Sequence, residues 1–144
     1  MKLVLPYPVS ANRYWRSVVV QRRDGPKKPR AVTFVSDEAK AYKAECGWRA
    51  KAAGCRPMGG TVELRIVLVP KNRVCMDLDN ALKVTIDALK GIVYADDAQV
   101  YRIVAERHPP DAEGARVEVE AMPMPLVPGF LDLFVGNVMA LAKA

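Results

Sequence analysis

Histidine is nearly absent from this 144-residue chain, with His108 alone, and cysteine is scarce: Cys46, Cys55 and Cys75 are odd in number and never form C-x-x-C. These shortages argue against a disulfide scaffold and a structural zinc site. The three thiols read as small packing residues rather than nucleophiles, and His108 as a turn or surface residue. Long apolar runs are also missing from the start of the chain. MKLVLPYPVS carries one lysine and only three apolar residues in a row before proline. That is too short for a signal-peptide core, so a cytoplasmic setting with no membrane partner is expected. Apolar residues at 51% and charged residues at 26% match ordinary globular usage, which argues against general disorder and against a membrane protein. The length suits one domain with a core of moderate size.

Acidic residues are sparse in one half only. Residues 1–60 hold 13 Lys+Arg against 4 Asp+Glu, and residues 61–144 hold 9 against 12, within a formal charge of +6. Most of the excess lies in Arg13, Arg16, Arg22, Arg23, Lys27, Lys28 and Arg30, opposed by Asp24 alone. Tyr14 and Trp15 interleave with these cations, and Gly25, Pro26 and Pro29 punctuate the backbone. Residues 16–30 are therefore expected to form a mobile loop over a phosphate backbone. A solvated basic loop without a partner fits the charge equally well.

Residues 2–5 read as a short strand stopped by Pro6 and Pro8. Ser36 is a good helix N-cap, Asp37 and Glu38 suit the first turn, and Gly54 suits a left-handed C-terminal cap, which predicts a helix to about residue 53. Alternation of Val62, Leu64, Ile66 and Leu68 with Glu63 and Arg65 predicts a strand over 61–69, ended by Pro70. A second helix is expected to begin near Asp79 or Asn80 and to stop before Gly91. It puts Leu82, Ile86 and Leu89 on one buried stripe, and Asp79, Lys83, Asp87 and Lys90 along another face. Strand-like runs follow at about 98–107 and 115–121. From 122 the character changes: a proline-broken linker precedes an apolar helix candidate, shorter than the ~20 residues of a membrane span. Such a helix needs a partner surface, and contact between subunits is the expectation.

The acidic residues of the second half form two nodes. Asp77 and Asp79 stand two apart in a segment entering the helix. In an extended conformation their side chains point to one side, roughly 6–7 Å apart along the backbone. Asp96 and Asp97 come after the helix and a turn. Hard divalent cations such as magnesium take oxygen ligands and keep several waters, so two or three carboxylates suffice. Three would converge if the sheet returned the second node beside residue 77. Lys83, one helical turn after Asp79, reaches the same pocket, where an ammonium offsets charge on an attacked phosphate. The spacing leaves a second reading open: Asp79 as a helix N-cap, Lys83 and Asp87 as an exposed i,i+4 pair, and Asp96 and Asp97 as turn residues.

The run D-L-D-N-A-L-K-V-T-I-D-A-L-K-G-I-V-Y-A-D-D-A-Q-V over residues 77–100 resembles the signature of the RusA family of Holliday-junction resolvases. L-P-Y-P-V-S-A-N-R-Y-W-R over residues 5–16 resembles that family's N-terminal motif, and the similarity covers about residues 2–121. The resemblance implies a small homodimeric endonuclease, commonly prophage-borne, that uses magnesium, with manganese as a substitute. Such an enzyme makes paired nicks across a four-way DNA junction during recombination or repair. Matched position by position, the resemblance makes Asp77, Asp79 and Asp97 metal-binding carboxylates and Lys83 the catalytic lysine, with Asp96 and Asn80 as supporting ligands or as groups that hold the ligands in place. Asn12 and Arg13 belong to the N-terminal motif at the DNA-facing edge. With Arg16, Arg22, Arg23, Lys27, Lys28, Arg30, Lys71 and Arg73 they make up the expected DNA contacts.

The expected architecture is an α+β domain over residues 1–121, a small mixed β-sheet packed with two main helices, followed by the linker and apolar tail at 122–144. One departure stands out. The family often places basic residues immediately before D-L-D, whereas this chain has Val74, Cys75 and Met76, with Arg73 the nearest cation. Two other functions remain open on the residues alone: a branched-DNA binding module without catalysis, and a metal-dependent nuclease acting on flaps or duplex.

Overall fold

The computed structural model describes residues 1–20 and 30–125. The expected DNA contacts Arg22, Arg23, Lys27 and Lys28, and the apolar helix of the tail, lie outside the described residues.

The chain runs β1 (Lys2–Pro6), α1 (Ala11–Tyr14), β2 (Trp15–Val20), β3 (Arg30–Val35), α2 (Asp37–Ala52), β4 (Val62–Val69), α3 (Leu78–Leu89), a 3-10 turn (Asp97–Gln99), β5 (Val100–Arg107) and β6 (Arg116–Pro123). Four strands form a mixed sheet in the order β1-β6-β4-β5, and β2 with β3 forms a separate hairpin. β6 is antiparallel to β1 and β4, whereas β4 and β5 are parallel. The α+β architecture with two main helices agrees with the expectation.

Helix α2 starts and stops where the sequence indicates. Ser36 accepts the Ala39 N–H at 3.2 Å, Asp37 and Glu38 occupy the first turn, and Gly54 takes a left-handed φ of 70°. Its inner face, Ala39, Tyr42, Cys46 and Ala50, is buried. It packs with Leu5, Leu64, Ile66 and Leu68 of the sheet and with Val84 and Ala88 of α3 in one core. Cys46 is indeed a packing residue, its thiol pushed up to about 11 by burial, which removes it as a nucleophile at neutral pH. His108 lies at the surface, its backbone N–H donating to the Leu68 carbonyl and its ring meeting Glu106 at 3.2 Å.

Three local expectations change. The basic segment expected as a loop from residue 16 is instead strand at both ends: Trp15 pairs with Val35 and Val20 with Arg30, and the Ser17 and Thr33 hydroxyls bond at 3.0 Å. Val18, Val19, Val20, Val32 and Phe34 supply the β-branched and aromatic character that outweighs the charge signal. Second, the buried stripe of α3 is Ala81, Val84, Thr85, Ala88 and Leu89, with Leu82 and Ile86 at its half-buried margin. α3 packs with α2 and α1, and its buried stripe joins the common core with them. Third, α3 begins at Leu78, so D-L-D is the helix start itself and not an extended segment entering it.

Parallel pairing of β4 with β5 fixes the path between them. The chain leaves the carboxyl end of β4 and must return to the amino end of β5, and α3 makes that crossover.

Candidate functional site

Asp77 holds the N-cap position of α3, with extended backbone (φ −61°, ψ 148°), and makes no side-chain cap bond to the helix. Asp79 lies in the first helical turn. Both are exposed. A carboxylate at this end of a helix is favoured by the positive dipole and the unpaired N–H groups. Neither enters an ion pair among the described residues, and the same holds for Lys83. Lys83 is exposed and stands four residues after Asp79, on the same helical face. Asn80 is half-buried beside them. The loop that delivers Asp77 carries Lys71 and Arg73, both exposed. It is anchored by Arg107, whose Nη2 donates to the Met76 carbonyl at 2.7 Å.

The second acidic node is built differently. Asp96 caps the 3-10 turn, its Oδ1 accepting the Ala98 N–H at 2.9 Å. Gln99 clamps the same turn: Oε1 accepts from the Ala95 and Asp96 N–H groups, and Nε2 donates to the Met58 and Gly60 carbonyls ahead of β4. Lys90, just past the end of α3, sits 3.0 Å from Asp96 and 2.8 Å from Asp97. Bonds to Asp97 first, and then to Asp96, push the Lys90 ammonium up to about 12. The Ala98 N–H first, and then Lys90, pull Asp96 down to about 2. The alternative role of Asp96 as a turn residue is therefore real, but Asp77, not Asp79, is the helix cap, and its carboxylate does no capping.

One chain does not bring the two nodes together. Asp77 and Asp79 stand at the amino end of α3, and Asp96 and Asp97 are bound at its carboxyl end. The helix between them has 12 residues, which is about 18 Å at 1.5 Å per residue. Convergence of three carboxylates within one subunit is thus corrected, and the reason is the parallel β4–β5 crossover, which carries the chain to the opposite end of the sheet. Among the described residues no group of three or more His, Cys, Asp or Glu gathers as a cation site. The oxygen donors themselves suit a hard divalent cation, but neither end of α3 gathers three of them among the described residues.

The N-terminal motif borders α3. Tyr14 is buried, and α1 packs against α3 and α2. Asn12 and Arg13 are exposed on α1, with Arg13 3.8 Å from Glu38, and Arg16 is exposed on β2. Arg30 opens β3. Burial first, then the nearby Cys75, raises the Tyr7 hydroxyl, with Arg107 opposing. Tyr7 therefore sits by the segment that leads into Asp77. Lys90, Gln99 and Arg107 were not singled out from sequence as site residues. Only Lys90 carried a signal, through its helical spacing with Asp79, Lys83 and Asp87. Among the described residues, no helix is long and apolar enough to cross a membrane.

These features define a class: an α+β domain that offers unneutralised oxygen donors beside exposed cations, as proteins acting on nucleic-acid backbones require. A family model for endodeoxyribonuclease RusA matches residues 6–122. The chain belongs to the RusA endodeoxyribonuclease family. Comparison with curated proteins gave no match.

Proposed function

We propose that the protein is a magnesium-dependent, structure-selective endodeoxyribonuclease that resolves four-way DNA junctions by paired nicks. It acts as a homodimer in which each active site is composite: Asp77, Asp79 and Lys83 come from one copy, and Asp97 with Asp96 comes from the other. The observation that carries this reading is the placement of the two acidic nodes at opposite ends of α3 in a member of an endodeoxyribonuclease family. Asp77, Asp79 and the partner copy's carboxylates would hold magnesium, or manganese in its place, which would supply charge neutralisation at the phosphate and an activated water. Lys83 faces the attacked phosphate and offsets the charge that develops on it. Asn80 supports the acidic pair from the first turn. Asn12, Arg13, Arg16, Lys71 and Arg73, with the basic residues of 22–30, hold the DNA backbone, which keeps acidic groups and phosphates together. A junction has symmetry-related strands, and a two-fold dimer presents one site to each.

The test is cleavage of an end-labelled four-way junction, with and without magnesium, beside a linear duplex and a flap built from the same arms. Symmetric nicks near the branch point that need magnesium and vanish in Asp79→Asn are expected. Tight binding without nicks would instead define a branched-DNA binding module, and equal cutting of flap and duplex a broader nuclease. Mixing two inactive variants, Asp79→Asn and Asp97→Asn, probes the composite site. Half of the randomly formed dimers are mixed, and each has one intact site, so about a quarter of wild-type site activity returns. No recovery would place all the carboxylates of a site in one chain.

A further inference from the structure

The β2–β3 hairpin stands outside the four-strand sheet. Among the described residues it carries more open apolar side chains than any other element: Trp15, Val18, Val19, Val20, Val32 and Phe34. The hydroxyl bond between Ser17 and Thr33 marks one face, and period-two alternation gives that face Trp15, Val19 and Val35 as well. It leans on the domain. Val35 packs against the core, and the Trp15 ring lies 5.2 Å from that of buried Tyr14. The other face holds Arg16, Val18, Val32 and Phe34. Register sets Arg16 across from Phe34 and Val18 across from Val32, so three apolar side chains form one patch with a guanidinium at its inner end. Val18, Val32 and Phe34 remain 47%, 44% and 41% exposed. A two-stranded ribbon is marginal by itself in water, and a contiguous open apolar patch marks an interaction surface.

We infer that this face of the hairpin recognises the branch point of the DNA junction, where its apolar side chains meet base faces that a continuous duplex keeps stacked. It rests on the nuclease reading proposed above and names the part of the substrate that makes the enzyme structure-selective. Charge decides the partner. Residues 15–35 contain Arg16, Arg22, Arg23, Lys27, Lys28 and Arg30 against Asp24 alone, so a second copy of the hairpin is repelled and an anionic polymer is attracted. The hairpin grows directly from α1, where Asn12 and Arg13 are exposed. α1 in turn packs against α3, the helix that separates the two acidic nodes. The apolar patch decides which part of the polymer is met. In an intact duplex a two-stranded ribbon meets the polar base edges of the major groove. A patch of valine and phenylalanine suits instead the base faces laid open where stacking is interrupted.

The test uses the full chain with calcium in place of magnesium, and a junction that carries, beside its branch point, a fluorescent adenine analogue that is dark when stacked. Wild type should brighten the label in the junction and leave the same label dark in a linear duplex built from the same arms. Val18→Thr/Val32→Thr keeps β-branching, and so the hairpin, but makes the patch polar. It should bind the junction about tenfold more weakly, lose the brightening, and hold the duplex as tightly as wild type does. Phe34→Leu, a milder change that removes only the ring, should weaken junction binding roughly threefold with the same selectivity. Arg16→Gln should weaken junction and duplex alike, with a salt slope lower by about one.

Loss confined to the junction in either patch variant supports the assignment. Patch variants that leave the ratio of junction to duplex affinity unchanged would overturn it, and so would a wild type that never brightens the label. A double variant that sediments as a smaller species than wild type would place the patch between copies of the chain and overturn it as well. Failure of the nuclease reading shows separately, as a wild type that brightens the label in calcium yet leaves the junction uncut in magnesium.

Discussion

At the start of α2, Ser36 accepts the Ala39 N–H at 3.2 Å, whereas at the start of α3 Asp77 occupies the same cap position, with a similar extended backbone, and accepts nothing from its helix. Aspartate caps as well as serine does, so propensity does not explain the difference. A side chain that leaves its own helix uncapped keeps its lone pairs for an outside ligand. The first turn of each helix repeats the contrast. Asp37 is paired with Lys40 at 3.0 Å, while Asp79 has no ion-pair partner among the described residues. α2 uses its amino end for stability; in the proposed reading α3 keeps its own for a cation.

Two substitutions separate these uses, and the larger effect is on catalysis. Asp77→Ala should lower magnesium-dependent junction cleavage by about a thousandfold with little change in thermal melting, since no cap bond is lost. Ser36→Ala should do the reverse, lowering stability by about 1 kcal/mol while cleavage per folded molecule stays at the wild-type level. Melting curves and cleavage rates on the same preparations check both. If Asp77→Ala melts as early as Ser36→Ala and still cuts, the contrast between the two helix starts is false.

A second contrast runs along α3 itself. The amino-terminal carboxylates carry no counter-charge within the described residues, while the carboxyl-terminal pair is held by Lys90. Lys90 competes with any cation for Asp96 and Asp97. Lys90→Met should therefore lower the magnesium concentration needed for half-maximal cleavage by about two- to fivefold, the scale of an exposed ion pair. A higher requirement would mean that Lys90 positions the two carboxylates more than it competes for them.

Much of this was legible in the sequence, and the misses have physical causes. The α2 boundaries follow from local rules, a serine cap and a left-handed glycine, which act within a few residues. The 61–69 strand follows from the period-two alternation of its sequence, although in the fold it is buried almost throughout, with Glu63 held by Arg65 and Arg102. The β2–β3 hairpin was hidden because the cations between its strands dominate the charge of the whole segment, while its valines pair across chain positions 15–20 and 30–35. The residues of the acidic nodes were visible in the motif, but their separation was not. Whether Asp97 returns to Asp77 depends on β4 and β5 being parallel neighbours, a long-range fact that no local pattern encodes. Lys90 was visible as a position on a helical face, yet its partners lie across a turn whose shape is set by Gln99 reaching the Met58 and Gly60 carbonyls.

The smallest effect sharpens the same contrast through pH. Asp96 is pulled down to about 2 in the folded chain, chiefly by the Ala98 N–H and then by Lys90. A carboxyl depressed on folding stabilises the fold fully above its ordinary value near 3.8, and that contribution is lost as pH falls toward 2. Asp96→Asn keeps an oxygen for the Ala98 N–H but removes the charge that faces Lys90. Its melting temperature should lie slightly below wild type at pH 5, and the gap should close as both are acidified toward pH 2. A gap that persists at pH 2 would assign the effect to the hydrogen bonds of the turn, and Lys90 would then matter to the cation site alone.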